Sequence, residues 1–157
     1  MAILTTVPVK VRYELYIEAY KYELTDEIME LSGHTLHRIR ALRDIPRIGV
    51  RKGDLGGWIE GEINLSQEDD CWVSDNAAVF EFGHVADCAL VYENAQVYGN
   101  AVIHVNAEVS GNARVFGYAN IHDNAWICGN AEIHGEAEVS GNVCLTIGHY
   151  NAGIINE

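Results

Sequence analysis

The sequence predicts an all-β chain in which a small N-terminal β-hairpin segment precedes a left-handed parallel β-helix with triangular coils. From Asp70 to Ile147, an aliphatic residue recurs at every sixth position without an insertion, and a small residue lies two positions before each of them. This period is too short for coiled coils, which follow a heptad repeat, and for helical solenoids, whose repeats exceed about twenty residues. The aliphatic positions are Val73, Val79, Val85, Val91, Val97, Ile103, Val109, Val115, Ile121, Ile127, Ile133, Val139 and Leu145.

Each six-residue unit is predicted to form one short strand and one turn. The small and aliphatic residues point inward and their neighbours point outward, which is the alternation of a strand. Turn pairs such as Gly99-Asn100 and Gly111-Asn112 suit the unusual dihedral angles of tight corners. Three six-residue units make a coil of 18 residues, and coils stack about 4.8 Å apart. We therefore assign residues 58–147 to the β-helix, in which the thirteen units from Asp70 to Ile147 make about four and a third coils, and residues 148–157 to a C-terminal tail.

The N-terminal segment, residues 1–57, is predicted to be built from strands. Apolar and polar residues alternate over residues 9–17, which predicts a half-buried strand. Residues 27–31 and 34–42 are separated by Ser32-Gly33, a pair typical of a hairpin turn. The alternative is a helix over Leu36, Ile39 and Leu42, whose spacing also fits a helical stripe.

Composition favours a cytoplasmic protein. No apolar run of about 18 residues predicts a membrane span, and residues 1–14 do not resemble a secretory signal. The four cysteines form no CxxC pair, so they are expected to be reduced and partly buried. Charge is unevenly distributed: nine bases and seven acids up to Lys52 give +2, whereas one base and 16 acids from Gly53 onward give −15. This acidic body disfavours direct nucleic-acid binding by the β-helix.

Because a coil has 18 residues, outward positions 18 apart are predicted to lie above one another. One such column carries Phe80, Tyr98, Phe116 and His134, with Arg114 in the flanking column. Stacked rings can stabilise the solenoid itself, and an exposed aromatic stripe can also mark a protein contact. These five residues are the candidate interaction face. Self-association as a dimer or trimer is the simplest partner hypothesis.

The alternative site consists of His84, His104 and His122, which fall on another predicted face. Solenoid enzymes of the γ-carbonic-anhydrase type bind zinc with histidines on such faces. The third ligand expected shortly after the second histidine is absent here, because that position is Ile127 on the inward side. Acyltransferases on this fold use a loop that protrudes from the coils, and the thirteen units contain no insertion. We therefore expect no catalytic residues, cofactor or metal.

Residues 53–73, GDLGGWIEGEINLSQEDDCWV, resemble the YdcK type of β-solenoid protein and small phage and prophage proteins with the same repeats. The matching elements are Gly56-Gly57-Trp58, residues 64–67 and Cys71-Trp72-Val73, followed by Asn-Ala units. Members often carry a glycine just before the Cys-Trp step, where this chain has Asp69-Asp70. The resemblance implies the solenoid fold and a phage-type setting, and it supplies no catalytic residues.

The leading hypothesis is a non-catalytic β-solenoid that acts through protein–protein contact. It would be a phage-type accessory protein that forms homo-oligomers, or binds and inhibits a host protein, with the acidic body as a possible nucleic-acid mimic. The first alternative is a hexapeptide-repeat acyltransferase or γ-carbonic-anhydrase-like enzyme. The second is a structural component of a phage.

Overall fold

The computed structural model describes residues 20–157, so the strand predicted over residues 9–17 lies outside the described part. The first strands are β1 (Tyr22–Leu31), β2 (His34–Ala41) and β3 (Leu55–Ile59), with 3₁₀ turns at Pro46–Ile48 and Glu62–Asn64. In the described part, thirteen two-residue strands, β4 to β16, follow: Trp72–Val73, Ala78–Val79, His84–Val85, Leu90–Val91, Gln96–Val97, Val102–Ile103, Glu108–Val109, Arg114–Val115, Asn120–Ile121, Trp126–Ile127, Glu132–Ile133, Glu138–Val139 and Cys144–Leu145. Strands β17 (His149–Tyr150) and β18 (Ile154–Ile155) end the chain.

Strands β1 and β2 form the predicted hairpin. They pair antiparallel, with Leu31 opposite His34 across the two-residue turn. Ser32 and Gly33 both have positive φ, at 51° and 82°, as a type I′ turn requires. The alternative helix over this segment is therefore wrong, because the turn chemistry and the pairing with β1 outweigh the helical spacing.

The short strands stack in parallel with the predicted 18-residue register. Val79 pairs with Val97, which belongs to the equivalent strand of the next coil, and Val97 pairs with Val115. Within residues 20–157 the strands form three sheets, ordered β1-β2-β3-β5-β8-β11-β14-β17, β4-β7-β10-β13-β16 and β6-β9-β12-β15-β18. The predicted parallel β-helix is confirmed. We call the outer sides of these sheets the aromatic face, the tryptophan face and the histidine face, respectively.

The interior of the prism is filled by the repeated small and aliphatic residues. Ala107 and Val109, for example, are fully buried, as are their counterparts in the neighbouring coils. Burying these methyl groups is the main stabilising contribution expected for such a body. The narrow triangular section explains why the residue two positions before each aliphatic one is usually alanine.

The corner that precedes each of the short strands β4 to β16 begins with a residue of positive φ. This set comprises Asp69, Asp75, Glu81, Asp87, Glu93, Gly99, Val105, Gly111, Gly117, Asp123, Gly129, Gly135 and Gly141. The left-handed conformation favours glycine and tolerates Asp, which accounts for much of the turn composition.

The residues after 147, predicted as a tail, add two more strands to the stack. Ile133 pairs with Tyr150 and Val139 with Ile155, so the separations shrink from 18 residues to 17 and 16. The shorter spacing breaks the six-residue pattern while the parallel pairing continues, which is why the repeat cannot be followed there in the sequence.

Lys21 and Tyr22, at the start of the hairpin, cover the first coil. The Nζ of Lys21 donates to the carbonyl oxygens of Cys71 (2.7 Å) and Glu68 (3.1 Å) and lies 3.1 Å from the Cys71 thiol. The Tyr22 hydroxyl donates to the Leu65 carbonyl oxygen at 2.6 Å. Burial lowers the pKa of Lys21 and raises that of Tyr22. Among residues 20–157, no helix has the length and apolar character needed to cross a membrane.

Candidate functional site

The aromatic face carries the predicted ring column as a continuous stack. The ring centroids of Phe80, Tyr98, Phe116 and His134 are 4.9 Å apart at each step, with interplanar angles of 11°, 3° and 5°. The parallel register places each ring one coil above the previous one, so the stacking follows from the 18-residue period. Such stacking stabilises the sheet itself.

The hairpin covers the first ring of this stack. Phe80 is only 2% exposed and packs with Leu36, Trp58 and Ala78. His34 lies over Phe80 at a centroid distance of 5.4 Å. Phe80 is therefore a buried member of the candidate interaction face, and the half-exposed part begins at Tyr98.

Two carboxylates hold the hairpin over the stack through His34. Its Nδ1 lies 2.8 Å from Oε2 of Glu60, and its Nε2 lies 3.3 Å from Oε1 of Glu81. The hydrogen bond to Glu60 is the main cause that raises the pKa of His34. Protonated His34 can donate to both carboxylates, so its contacts with Glu60 and Glu81 are strongest when the imidazole is charged.

Arg114 contacts the aromatic column through its guanidinium group. Its Nη2 donates to the Tyr98 hydroxyl at 2.7 Å, and its Nη1 donates to Oε1 of Glu132 at 3.3 Å. The guanidinium carbon lies 5.8 Å and 5.7 Å from the ring centroids of Tyr98 and Phe116. This arrangement combines an ion pair with cation–π contacts and keeps the face electrically balanced.

Two further aromatic side chains at the adjacent corner were missed by the sequence analysis. Tyr118 is 68% exposed and Phe82 is 65% exposed. Both occupy the second position of a turn, where most other units carry Asn. The sequence does contain an indication of these residues, because a large aromatic residue at a turn position cannot face the interior and must be exposed. Together with Tyr98, Phe116 and His134, Tyr118 widens the half-exposed aromatic surface.

The histidine face brings two of the three candidate histidines together. The rings of His104 and His122 lie 5.2 Å apart. His104 Nε2 lies 2.9 Å from Oδ1 of Asn120, and His122 Nε2 lies 2.9 Å from Oε1 of Glu138. The bond to Glu138, with Asp123 contributing, raises the pKa of His122.

The third histidine, His84, does not join them. Its Nδ1 lies 2.6 Å from the carbonyl oxygen of Ile63, on the irregular first coil. Among residues 20–157, no group of three or more His, Cys, Asp or Glu side chains is arranged to hold a metal ion. The ring nitrogens of His122 are instead hydrogen-bonded within the protein, to Asp123 and Glu138.

Many of the body's acids have a structural role at the corners. The corner carboxylate accepts the backbone N–H of the residue 18 positions later, at 2.6–3.0 Å. The pairs are Asp75 with Glu93, Glu81 with Gly99, Asp87 with Val105, Glu93 with Gly111, and Asp123 with Gly141. These bonds connect successive coils, so the negative charge of the corners stabilises the fold.

The chain matches no protein-family model, and no curated protein matches its sequence at a significant level. The resemblance of residues 53–73 to the YdcK type remains an expectation from those residues. The surface geometry is therefore the basis on which function is assigned.

Proposed function

We propose that this protein is a non-catalytic β-solenoid that acts through protein–protein contact. The contact surface is the half-exposed aromatic surface formed by Tyr98, Phe116, Tyr118 and His134, with Arg114 beside them. The observation that carries this proposal is the continuous ring stack next to the exposed Tyr118. Tyr and Arg side chains are common among the residues that dominate binding energy at protein interfaces.

The first partner of this surface is a second copy of the chain. The chain carries −13 at neutral pH, so two copies repel one another over most of their surface. On the aromatic surface, however, the charges of Arg114 and Glu132 cancel in an ion pair. An aromatic, balanced surface is where two acidic copies can approach with the least electrostatic cost. A closed dimer that uses the same surface twice is the simplest arrangement.

Binding to a host protein, in a phage-type accessory role, is the second use of this surface within the same proposal. The acidic body does not require nucleic-acid mimicry as its explanation, because five corner carboxylates hold turn amides. The enzyme alternative would use the histidine face. There, however, hydrogen bonds to Asn120 and Glu138 already engage His104 and His122.

Sedimentation velocity over a range of protein concentrations tests the proposal. We expect the wild-type chain to form a dimer, and Tyr118→Ser and Phe116→Arg to weaken it by at least about tenfold in Kd. Tyr118→Ser is the sharper variant, because Tyr118 projects from the surface and its loss leaves the ring stack intact. Added salt should strengthen the wild-type dimer, because screening reduces the repulsion between acidic bodies.

Trp126→Ser is the matched control, because Trp126 is an exposed aromatic residue on the tryptophan face. It should leave the association constant unchanged. A wild-type chain that stays monomeric at every concentration and salt level would rule out the second copy as partner. Equal weakening by Trp126→Ser would show that the aromatic surface is not the contact.

A further inference from the structure

The tryptophan face carries a groove of about 510 Å³ that the proposed contact surface does not use. Its floor follows from the register: Glu108 pairs with Trp126 in the next coil, and Asn106 and Asn124 lie two positions before them at the corner. Arg47, from the 3₁₀ turn Pro46–Ile48, also lines the groove. The full lining is Arg47, Cys88, Tyr92, Asn106, Glu108, Asn124 and Trp126.

Trp126 presents an oriented, flat apolar ring to this groove. Trp58 and Trp72 are buried, whereas Trp126 is 43% exposed. Its indole N–H donates to the Ser110 hydroxyl at 3.0 Å, which fixes the ring on the face. An exposed ring held in this way loses little side-chain entropy when a flat ligand stacks on it.

The polar side chains around the ring are also held in place. The Tyr92 hydroxyl donates to Oε2 of Glu108 at 2.8 Å, and Nη2 of Arg47 donates to the Cys88 carbonyl oxygen at 2.8 Å. The Nε of Arg47 also lies 3.4 Å from Oδ2 of Asp70. A carboxylate has about four acceptor positions and a guanidinium has five donors, so Glu108 and Arg47 can both form further hydrogen bonds. Ligand sites of this kind combine an aromatic surface with a few placed polar groups.

We propose that this groove binds a sugar ring of a neutral saccharide. The C–H face of the sugar would stack on Trp126, and its hydroxyls would exchange hydrogen bonds with Glu108, Arg47 and the two amides. Hydroxyl groups both donate and accept, which matches a lining of carboxylate, guanidinium and carboxamide groups. Charge selects against anionic ligands, because the residues from Gly53 onward carry −15.

Isothermal titration calorimetry with two neutral probes, tetraacetylchitotetraose and maltotetraose, tests the site on the full chain. We expect at least one probe to bind with a dissociation constant at or below about 10 mM. Binding should also change the tryptophan emission, because Trp126 is the exposed indole. Trp126→Ala should weaken that binding by at least about tenfold, and Trp126→Phe should restore part of it. Glu108→Ala should also weaken it, because it removes an acceptor and the partner of Tyr92.

Phe82→Ser is the control and should bind the probe as wild type does, because Phe82 is an exposed aromatic residue that belongs to neither proposed site. Thermal unfolding of each variant identifies any that are misfolded. The proposal is overturned if neither probe binds, or if Trp126→Ala binds as tightly as wild type. Because Trp126 and Tyr98 lie on different faces, failure of this site and failure of the proposed self-association are distinguishable.

Discussion

The Asp123 carboxylate accepts the backbone N–H of Gly141, its counterpart one coil later, at 3.0 Å. The bond to Gly141 and the neighbouring His122 lower the pKa of Asp123. A carboxyl whose pKa is lower in the folded state stabilises the fold above its unfolded pKa, and this contribution is lost as the pH falls through the folded value. The bond between Asp123 and Gly141 therefore couples the stacking of these two coils to pH.

Stability should fall as the pH drops below about 4, because the Asp123 carboxylate then takes up a proton. Asp123→Asn should make that fall shallower, because the amide oxygen can still accept the Gly141 N–H without titrating. Thermal unfolding followed by circular dichroism between neutral and acidic pH measures the effect. Identical acid profiles for wild type and Asp123→Asn would mean that this bond does not respond to pH.

His122 and His34 change the pH dependence of stability in the opposite direction. The bond to Glu138 raises the pKa of His122, and the bond to Glu60 raises that of His34. Their contribution to folding stability is fully present below the unfolded histidine pKa of about 6.5. It is lost as the pH rises through their higher pKa values in the folded state. The same unfolding series should therefore show maximal stability at about pH 5–6.5. The loss of stability above this pH range should be smaller in His34→Gln than in wild type.

Another prediction concerns corners that carry glycine. Gly117 has φ +67°, and a Cβ there would lie 2.8 Å from the Gly135 nitrogen. Gly117→Ala should therefore destabilise the chain. Gly117→Asp should cost less than Gly117→Ala, because its carboxylate can accept the Gly135 N–H as Asp123 accepts that of Gly141.

Urea denaturation of wild type, Gly117→Ala and Gly117→Asp measures their free energies of unfolding and so tests this order. Val105 shows that a β-branched residue can occupy such a corner, with φ +60°. If Gly117→Asp is less stable than Gly117→Ala, the corner bonds contribute less than the local charge repulsion they create.

Much of the fold could be predicted because the six-residue period fixes both the inward residues and the columns on the outside. Phe80, Tyr98, Phe116 and His134 stack as the period predicts.

The position of the hairpin over Phe80 could not be predicted, because it depends on long-range contacts of His34 with Glu60 and Glu81. The last two strands were missed because their spacing shortens while their pairing continues. The corner bonds join residues 18 apart, and a turn pattern alone does not reveal them.

The last prediction concerns Lys21, which is fully buried beneath the first coil. Its Nζ donates to the carbonyl oxygens of Cys71 and Glu68, so Lys21→Met would leave the buried Cys71 oxygen without its donor. An unsatisfied buried carbonyl costs about 1–3 kcal/mol, and we expect the free energy of unfolding to fall by that amount. Lys52→Met is the control, because Lys52 is exposed and its loss should change the free energy by less than about 0.5 kcal/mol. Urea denaturation measures both. If Lys21→Met is as stable as wild type, the cost of burying the ammonium group equals the stabilisation from its hydrogen bonds.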